Sequence, residues 1–419
     1  MKNDMTITQM MRASEKLKKQ GQRFTHLGIG PMSENLLRAA LELSKEKDFP
    51  LILIASRNQV DGDEFGGGYV CGFDQKRFVA KTNEIAEEIG YDNLCYFCRD
   101  HGGPWQRDKE RAGRLPVNEA MKIAKRSYIE DIESGFHLLH IDPTKDPFCG
   151  KVVPLDLVLH RTLELIETVE AKRKELGIEG VAYEVGTEET MGGLISAEAF
   201  EGFIRELKAK LSERNLPMPL FVVGQTGTLT RLTSNVGSYD RATAGALSRI
   251  VEKYGTGLKE HNGDYLSNEI LLEHPIIGVT AMNVAPEFGL VETEALLELC
   301  ATEEKFTEEK KRSNVKAIVS KYAIGGERWR KWMVGGKREA SVKEIAANAE
   351  DVALITKMCG HYTLNEPEVK EALSKLYGNL SALGLNGHTY VVKKIKDSID
   401  RYVYCFNLYG LTTKLRNVL

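Results

Sequence analysis

A short, nearly continuous apolar run followed by a longer amphipathic stretch recurs eight times before residue 300, and this alternation restricts the fold more than any other feature. The runs are FTHLGIG (24–30), PLILIAS (50–56), NLCYFC (93–98), FHLLHID (136–142), GVAYEVG (180–186), PLFVVGQ (219–225), GTGLKEH (255–261) and PIIGVTAM (275–282). Such runs predict strands buried on both faces of a parallel sheet. Between them lie helix patterns. Ser33 caps a predicted helix through ENLLRAALELSKEK, and Gly135 follows VNEAMKIAKRSYIEDIES as its C′ residue. Alternating strands and helices require right-handed crossovers. Eight units within ~280 residues predict a closed (β/α)₈ TIM barrel rather than an open doubly wound sheet. GIGPMS, after the first strand, lacks the G-x-G-x-x-G spacing of a dinucleotide fold.

After residue 300 the alternation stops. ATEEKFTEEKKRSNVK, RWRKWMVGG, EDVALITKMCGHYTLNEPEVKEALSKLYGNL and VVKKIKDSIDRYVYCFNLYG read as helices separated by Gly and Pro. The expected organisation is therefore a barrel with an N-terminal helix over 1–300 and a helical C-terminal extension over 301–419.

A formal net charge of −3 offers no electrostatic footprint for nucleic acid or an anionic membrane. No run of 18 apolar residues exists, and the charged start MKNDMTITQMMRASEKLKK lacks an apolar signal core, so a cytoplasmic chain is expected. Seven scattered cysteines argue against a disulfide framework. Cys95 and Cys98 stand three apart on one strand and face opposite sides, so they cannot share a metal.

In a barrel, chemistry gathers at the C-terminal strand ends and the loops after them. Those ends here are rich in acids, imidazoles and amides: SRNQVDGDEFGGGY, RDHGGPWQRD, HIDPTKD, EVGTEETMGG, GQTGT, KEHNGDY and NVAPE. Asp100 and His101 form an adjacent acid and imidazole, suited to proton transfer and metal ligation respectively. The alternative is that Asp100 caps a turn while His101 packs on Trp105. His261 is the second strand-end imidazole. With His101 it is expected to bind one divalent cation (Zn, Mn, Ni or Mg), with Gln225 or Glu188 completing the shell. Asp100 or Glu188 would move the proton. His140 and Asp142 share a strand face and either contact substrate hydroxyls or pair with each other. Glu184, inside its strand, needs a buried partner and reads as an orienting group. Asn58, Gln59, Glu260, Asp264 and Asn283 are candidate substrate contacts, and the glycine clusters Gly66, Gly67, Gly68 and Gly192, Gly193 suit close backbone approach to an anion.

Taken together, NQV with FGGGY (58–60, 65–69), DHGGPW (100–105), HIDPT (140–144), VGTEE (185–189), EHNGDY (260–265) and KIKDSIDRYVYCF (394–406) resemble the tagatose-bisphosphate aldolase large-subunit family, GatZ/KbaZ-like, across nearly the whole chain. The resemblance implies a (β/α)₈ barrel with a helical C-terminal part. It also implies metal-dependent aldol or 4-epimerase chemistry on a ketose or ketose phosphate, or else a non-catalytic subunit that stabilises a smaller aldolase chain. Three features depart from the pattern, one being that the family's helical-region aromatic motif is only partly present in RWRKWM. DHGGPW stands where the family has DHLGP-x-x-W, and Gln225 stands where a catalytic class II aldolase usually offers histidine. Expected partners are a sugar or sugar-phosphate substrate, a smaller catalytic aldolase chain and further copies of this chain. A kinase lacks support, because no G-x-x-x-x-G-K-[ST] is present.

Overall fold

The computed structural model describes residues 3–150, 152–186 and 196–419. Eight parallel strands close into a barrel: β1 His26–Ile29, β2 Leu51–Ser56, β3 Cys95–Gly102, β4 Leu138–Ile141, β5 Ala182–Gly186, β6 Phe221–Val223, β7 Gly257–Glu260 and β8 Ala281–Val284. Each strand pairs with its sequence neighbours, and β8 returns to β1 with Gly28 opposite Asn283. The strands are buried along almost their whole length, as their apolarity requires. A small antiparallel hairpin, Thr230–Arg231 with Ser234–Asn235, follows β6.

The helices obey their sequence signals. Ser33 accepts a hydrogen bond from the Leu36 amide at the start of Glu34–Lys47. Gly135 adopts φ 91° just after Val117–Glu133, the left-handed position that glycine occupies at no steric cost.

One strand is displaced from its expected place. Pro275, Ile276 and Ile277 finish the helix Asn268–Ile277, which Gly278 caps, and β8 begins only at Ala281. Periodicity cannot separate a short apolar run at a helix end from one in a strand. Ile276 is 74% exposed, which a barrel strand would not allow.

Helix Pro286–Phe306 runs through residue 300, so the change of texture in the sequence falls inside one continuous helix. RWRKWM, expected as a helix, forms only a 3₁₀ turn at Arg328–Lys331. Helix Gly387–Cys405 packs on both Glu34–Lys47 and Pro286–Phe306, and its Val391, Ile395, Ile399 and Tyr402 join the core that surrounds the barrel. A second, smaller core gathers around Trp329, Met333, Ile345 and Ile355. Among the described residues, no helix is long and apolar enough to cross a membrane. All seven cysteines are free thiols.

Candidate active site at the mouth of the barrel

Strand alternation selects which polar side chains enter the barrel. His140 on β4 and Glu184 on β5 are register partners, and both are fully buried. On β7, Lys259 points inward to Glu184 (Nζ–Oε2 2.5 Å). His261, two residues on, shares that face. Glu260 between them points the other way, to His274 in the helix layer (2.9 Å). From β8, Asn283 lies across Gly28, where any Cβ would come within 2.3 Å of the Asn283 amide oxygen. Glycine at that place on β1 is what lets Asn283 reach Asp100 Oδ1, to which it donates at 3.0 Å.

His101 stands at the end of β3 with φ 42°, a left-handed conformation that a non-glycine residue holds only when its surroundings enforce it. Two contacts enforce it here. Its amide donates to His140 Nδ1 (3.2 Å), and its Nδ1 lies 2.7 Å from Asp142 Oδ2. His261 is fixed in a matching way, with Nε2 3.0 Å from Glu184 Oε1. The remaining nitrogens, His101 Nε2 and His261 Nδ1, face each other at 3.1 Å. Carboxylate partners assign the protons to the outer nitrogens, so two lone pairs point into one small space. One nitrogen each from His101, His140 and His261 falls within 4.8 Å of the other two, and Asp100, His140, Glu184 and His261 meet the same spacing. The donor set of imidazoles backed by carboxylates suits a divalent cation of the zinc type.

The electrostatics favour ionised acids and a neutral His140. Burial works against the Glu184 carboxylate, but Lys259 and the neighbouring imidazoles outweigh it and hold its carboxyl well below the usual range. Burial likewise opposes ionised Asp142, and the His101 hydrogen bond with His140 and Lys145 prevails. Asp100 is also lowered, against burial, by His101, His261, His140 and Lys259. Burial pulls the His140 imidazole down to about 4, so it is neutral and able to act as a ligand or acceptor at neutral pH.

The other expected residues take different places. Glu188, and the Gly192–Gly193 pair, lie outside the described residues. Gln225 follows β6 on the same end of the barrel. Asp142 engages His101 rather than His140, because β4 ends at Ile141 and the chain turns there. Asp264 accepts from the Ala285 and Glu287 amides and so caps helix Pro286–Phe306. Asn58 bonds the loop after β3 through the Gln106 carbonyl, and Gln59 is tied to the Ser56 amide. Gly66 and Gly67 pack against the Arg107 guanidinium, which donates to the Gly67 carbonyl at 2.5 Å. Trp105 is occupied with the Leu115 carbonyl and does not stack on His101. The site therefore unites Asp100, His101, His140, Asp142, His261 and Asn283, and Glu260, Asp264, Asn58 and Gln59 serve contacts elsewhere. Glu184 has the buried partners its position demanded. Lys259 was not among the candidates. Its signal was available, since a lysine two residues before a strand-end histidine shares that histidine's inward face.

Fold and site together define a (β/α)₈-barrel protein with an imidazole–carboxylate centre at the C-terminal mouth. The chain belongs to the D-tagatose-1,6-bisphosphate aldolase subunit GatZ/KbaZ-like family, whose model matches residues 11–210 and 219–401. Solved structures share the fold. A probable tagatose 6 phosphate kinase from Sinorhizobium meliloti 1021 aligns with TM-score 0.76 at 20% identity, over 91% of this chain and 100% of that one. The fructose-bisphosphate aldolase of Campylobacter jejuni gives 0.57 at 12%, over 98% and 99%. The fructuronate-tagaturonate epimerase UxaE of Cohnella laeviribosi gives 0.56 at 10%, over 92% and 82%.

Proposed function

We propose that this protein is a metal-dependent enzyme that breaks or re-forms the C3–C4 bond of a ketose or ketose phosphate, by aldol cleavage or 4-epimerisation. The observation that carries this reading is the 3.1 Å approach of His101 Nε2 to His261 Nδ1, with each ring backed by a carboxylate. His101 and His261, joined by His140, would hold the cation. When bound, a divalent cation supplies Lewis-acid polarisation of carbonyl and hydroxyl oxygens.

The chain's own groups supply the rest. Asp100 is ionised and retains some access to the mouth of the barrel, so it can take the proton from the C4 hydroxyl. Asn283 fixes the orientation of that carboxylate. As O4 loses its proton, C4 becomes a carbonyl and the C3–C4 bonding pair moves into the C2 carbonyl to give an enediolate. Aldol cleavage ends with protonation of that enediolate. Re-addition to the opposite face of the C4 carbonyl returns the proton from Asp100 and inverts C4. Glu188 is the alternative proton carrier.

A second reading follows from the family's description as an aldolase subunit: a non-catalytic chain that stabilises a smaller aldolase. The deciding experiment incubates the metal-loaded chain alone with a panel of ketoses, ketose phosphates and ketouronates, and follows C4 epimers and triose release by NMR. Turnover abolished by Asp100→Asn supports the enzyme. No turnover with any member, together with a chain that holds no stoichiometric cation, overturns it in favour of the subunit. A cytoplasmic protein, divided near residue 300 into barrel and extension, goes with this reading.

A further inference from the structure

Helix Pro286–Phe306 follows β8 with Ala285 at its N-cap position, and alanine has no side-chain acceptor to offer the first helical amides. The loop after β7 supplies one instead. The Asn283 carbonyl accepts from the Gly263 amide at 3.1 Å. This approach needs glycine, because a Cβ there would stand 2.4 Å from Met282 Sδ. The next residue, Asp264, is thereby set against the start of the helix. Its Oδ1 accepts from the Ala285 amide at 3.0 Å and from the Glu287 amide at 2.9 Å. Glu287 answers in the opposite direction. Its Oε2 accepts from the Tyr265 amide at 2.5 Å and from the Tyr402 hydroxyl, and its Oε1 pairs with Arg401 at 3.1 Å. Asp264 is 2% exposed and Glu287 8%, so the exchange of contacts is closed to solvent.

The position of this contact in the barrel gives it a consequence for the substrate. The loops after the seventh and eighth strands, with a helix N-terminus beside them, commonly bind a substrate phosphate. Here both loops leave the candidate centre directly. Asp264 follows His261 by three residues, and Ala285 follows Asn283, which donates to Asp100, by two. Three amides that could grip a phosphate, those of Tyr265, Ala285 and Glu287, are taken by the chain's own carboxyl groups. A phosphate arriving there would meet acid oxygens and recover no hydrogen bond for the water it gave up.

We propose that Asp264, with Glu287, is a specificity determinant that fills the phosphate position at the β7 and β8 loops, so that the substrate end lying there is an uncharged hydroxymethyl group. This rests on the sugar chemistry proposed for the His101–His261 centre. A ketose bisphosphate carries a phosphate at each end, so one of them falls at Asp264 whichever way the molecule lies, and it is excluded in both orientations. A free ketose, a ketouronate or a ketose monophosphate turns its hydroxymethyl end to that side.

The test is calorimetric binding to the full metal-loaded chain of fructose, fructose 1-phosphate, fructose 6-phosphate and fructose 1,6-bisphosphate. The expected result is that the bisphosphate binds at least about tenfold more weakly than the tightest of the other three. Asp264→Ala, which frees the Ala285 and Glu287 amides, should close most of that gap. Asp264→Asn, whose side-chain oxygen still accepts from both amides, should keep it. A cap with no part in specificity would lower the melting temperature of Asp264→Ala and leave the ranking of the ligands unchanged. Should Asp264→Ala fail to fold, the ranking in the parent decides alone. A bisphosphate that binds as tightly as the best of the others, or a gap unchanged in a folded Asp264→Ala chain, overturns the proposal. If no ketose binds the parent, the sugar reading fails, and inorganic phosphate on the chelator-stripped chain judges Asp264 separately. Capture of phosphate by Asp264→Ala and not by the parent supports the assignment, and equal behaviour of the two overturns it.

Discussion

His101 and His261 approach each other at 3.1 Å across the mouth of the barrel, and each is held from behind by a carboxylate, Asp142 on one ring and Glu184 on the other. Carboxylates in these places favour the tautomers in which the facing nitrogens accept, as the proposed ligand pair requires. Each member of the set has a distinct expected phenotype.

Asp142→Asn keeps the shape of the loop but weakens control of the His101 tautomer. Cation affinity should fall about 10–100-fold, as for other orienting carboxylates, in a competition titration with a chromogenic chelator. An unchanged affinity would mean that Asp142 has no part in setting His101.

Asp100→Asn should act on turnover instead. The amide preserves volume and can still meet Asn283, so cation affinity should stay within about twofold while kcat falls roughly 10²–10⁴-fold. If the variant loses the cation as well, Asp100 is a ligand and the proton carrier must be sought at Glu188.

Lys259→Met leaves Glu184 ionised and buried without its ammonium partner. Removing one member of a buried pair costs about 3–5 kcal/mol, visible as a lower urea midpoint. The double variant Lys259→Met/Glu184→Gln should recover part of that loss. A single variant as stable as the parent contradicts the pairing as a structural requirement of the barrel interior.

Acid should destabilise the fold above the range in which ordinary carboxylates titrate. Burial pulls His26 and His361 down to about 3 and His137 to about 4, so all three are neutral when folded. Unfolded, each takes a proton near pH 6.5, and stability is lost as pH falls from about 6.5 toward 4. Burial raises Asp264 to about 7 and Glu292 to about 6, which acts in the opposite sense across the same window. His140, held near 4 by burial, acts in the same sense as the other three imidazoles, so four depressed imidazoles stand against these two raised carboxyls and stability falls with acid. Urea midpoints should therefore be lower at pH 5 than at pH 6.5, and equal midpoints would contradict the assignment.

The barrel was legible because each strand is a short apolar run ended by polar residues, and His101 and His261 were legible as a pair because both stand at such ends. What was hidden follows from the same physics. Strands buried on both faces carry no polar and apolar alternation, so the pattern does not say which face of β4 and β5 turns His140 and Glu184 inward, and Lys259 could be placed only through its two-residue spacing from His261. The partner of Asp142 depended on where β4 stops, and element ends are the least certain feature of a sequence. Pro275–Ile277 misled because a short apolar run fits a helix end as well as a strand. Arg328 reads as part of a helix in the extension, and only the tertiary fold brings it over Tyr69 in the loop after β2.

The central claim is that His101 and His261 share one divalent cation. X-ray absorption of the zinc-loaded chain, with metal content measured on the same sample, tests it most directly. The account predicts one zinc per chain with at least two imidazole nitrogens at about 2.0–2.1 Å, one fewer imidazole in His261→Ala, and occupancy lost in His101→Ala/His261→Ala. A chain that retains no stoichiometric zinc, or whose zinc keeps the same imidazole count in His261→Ala, would contradict it.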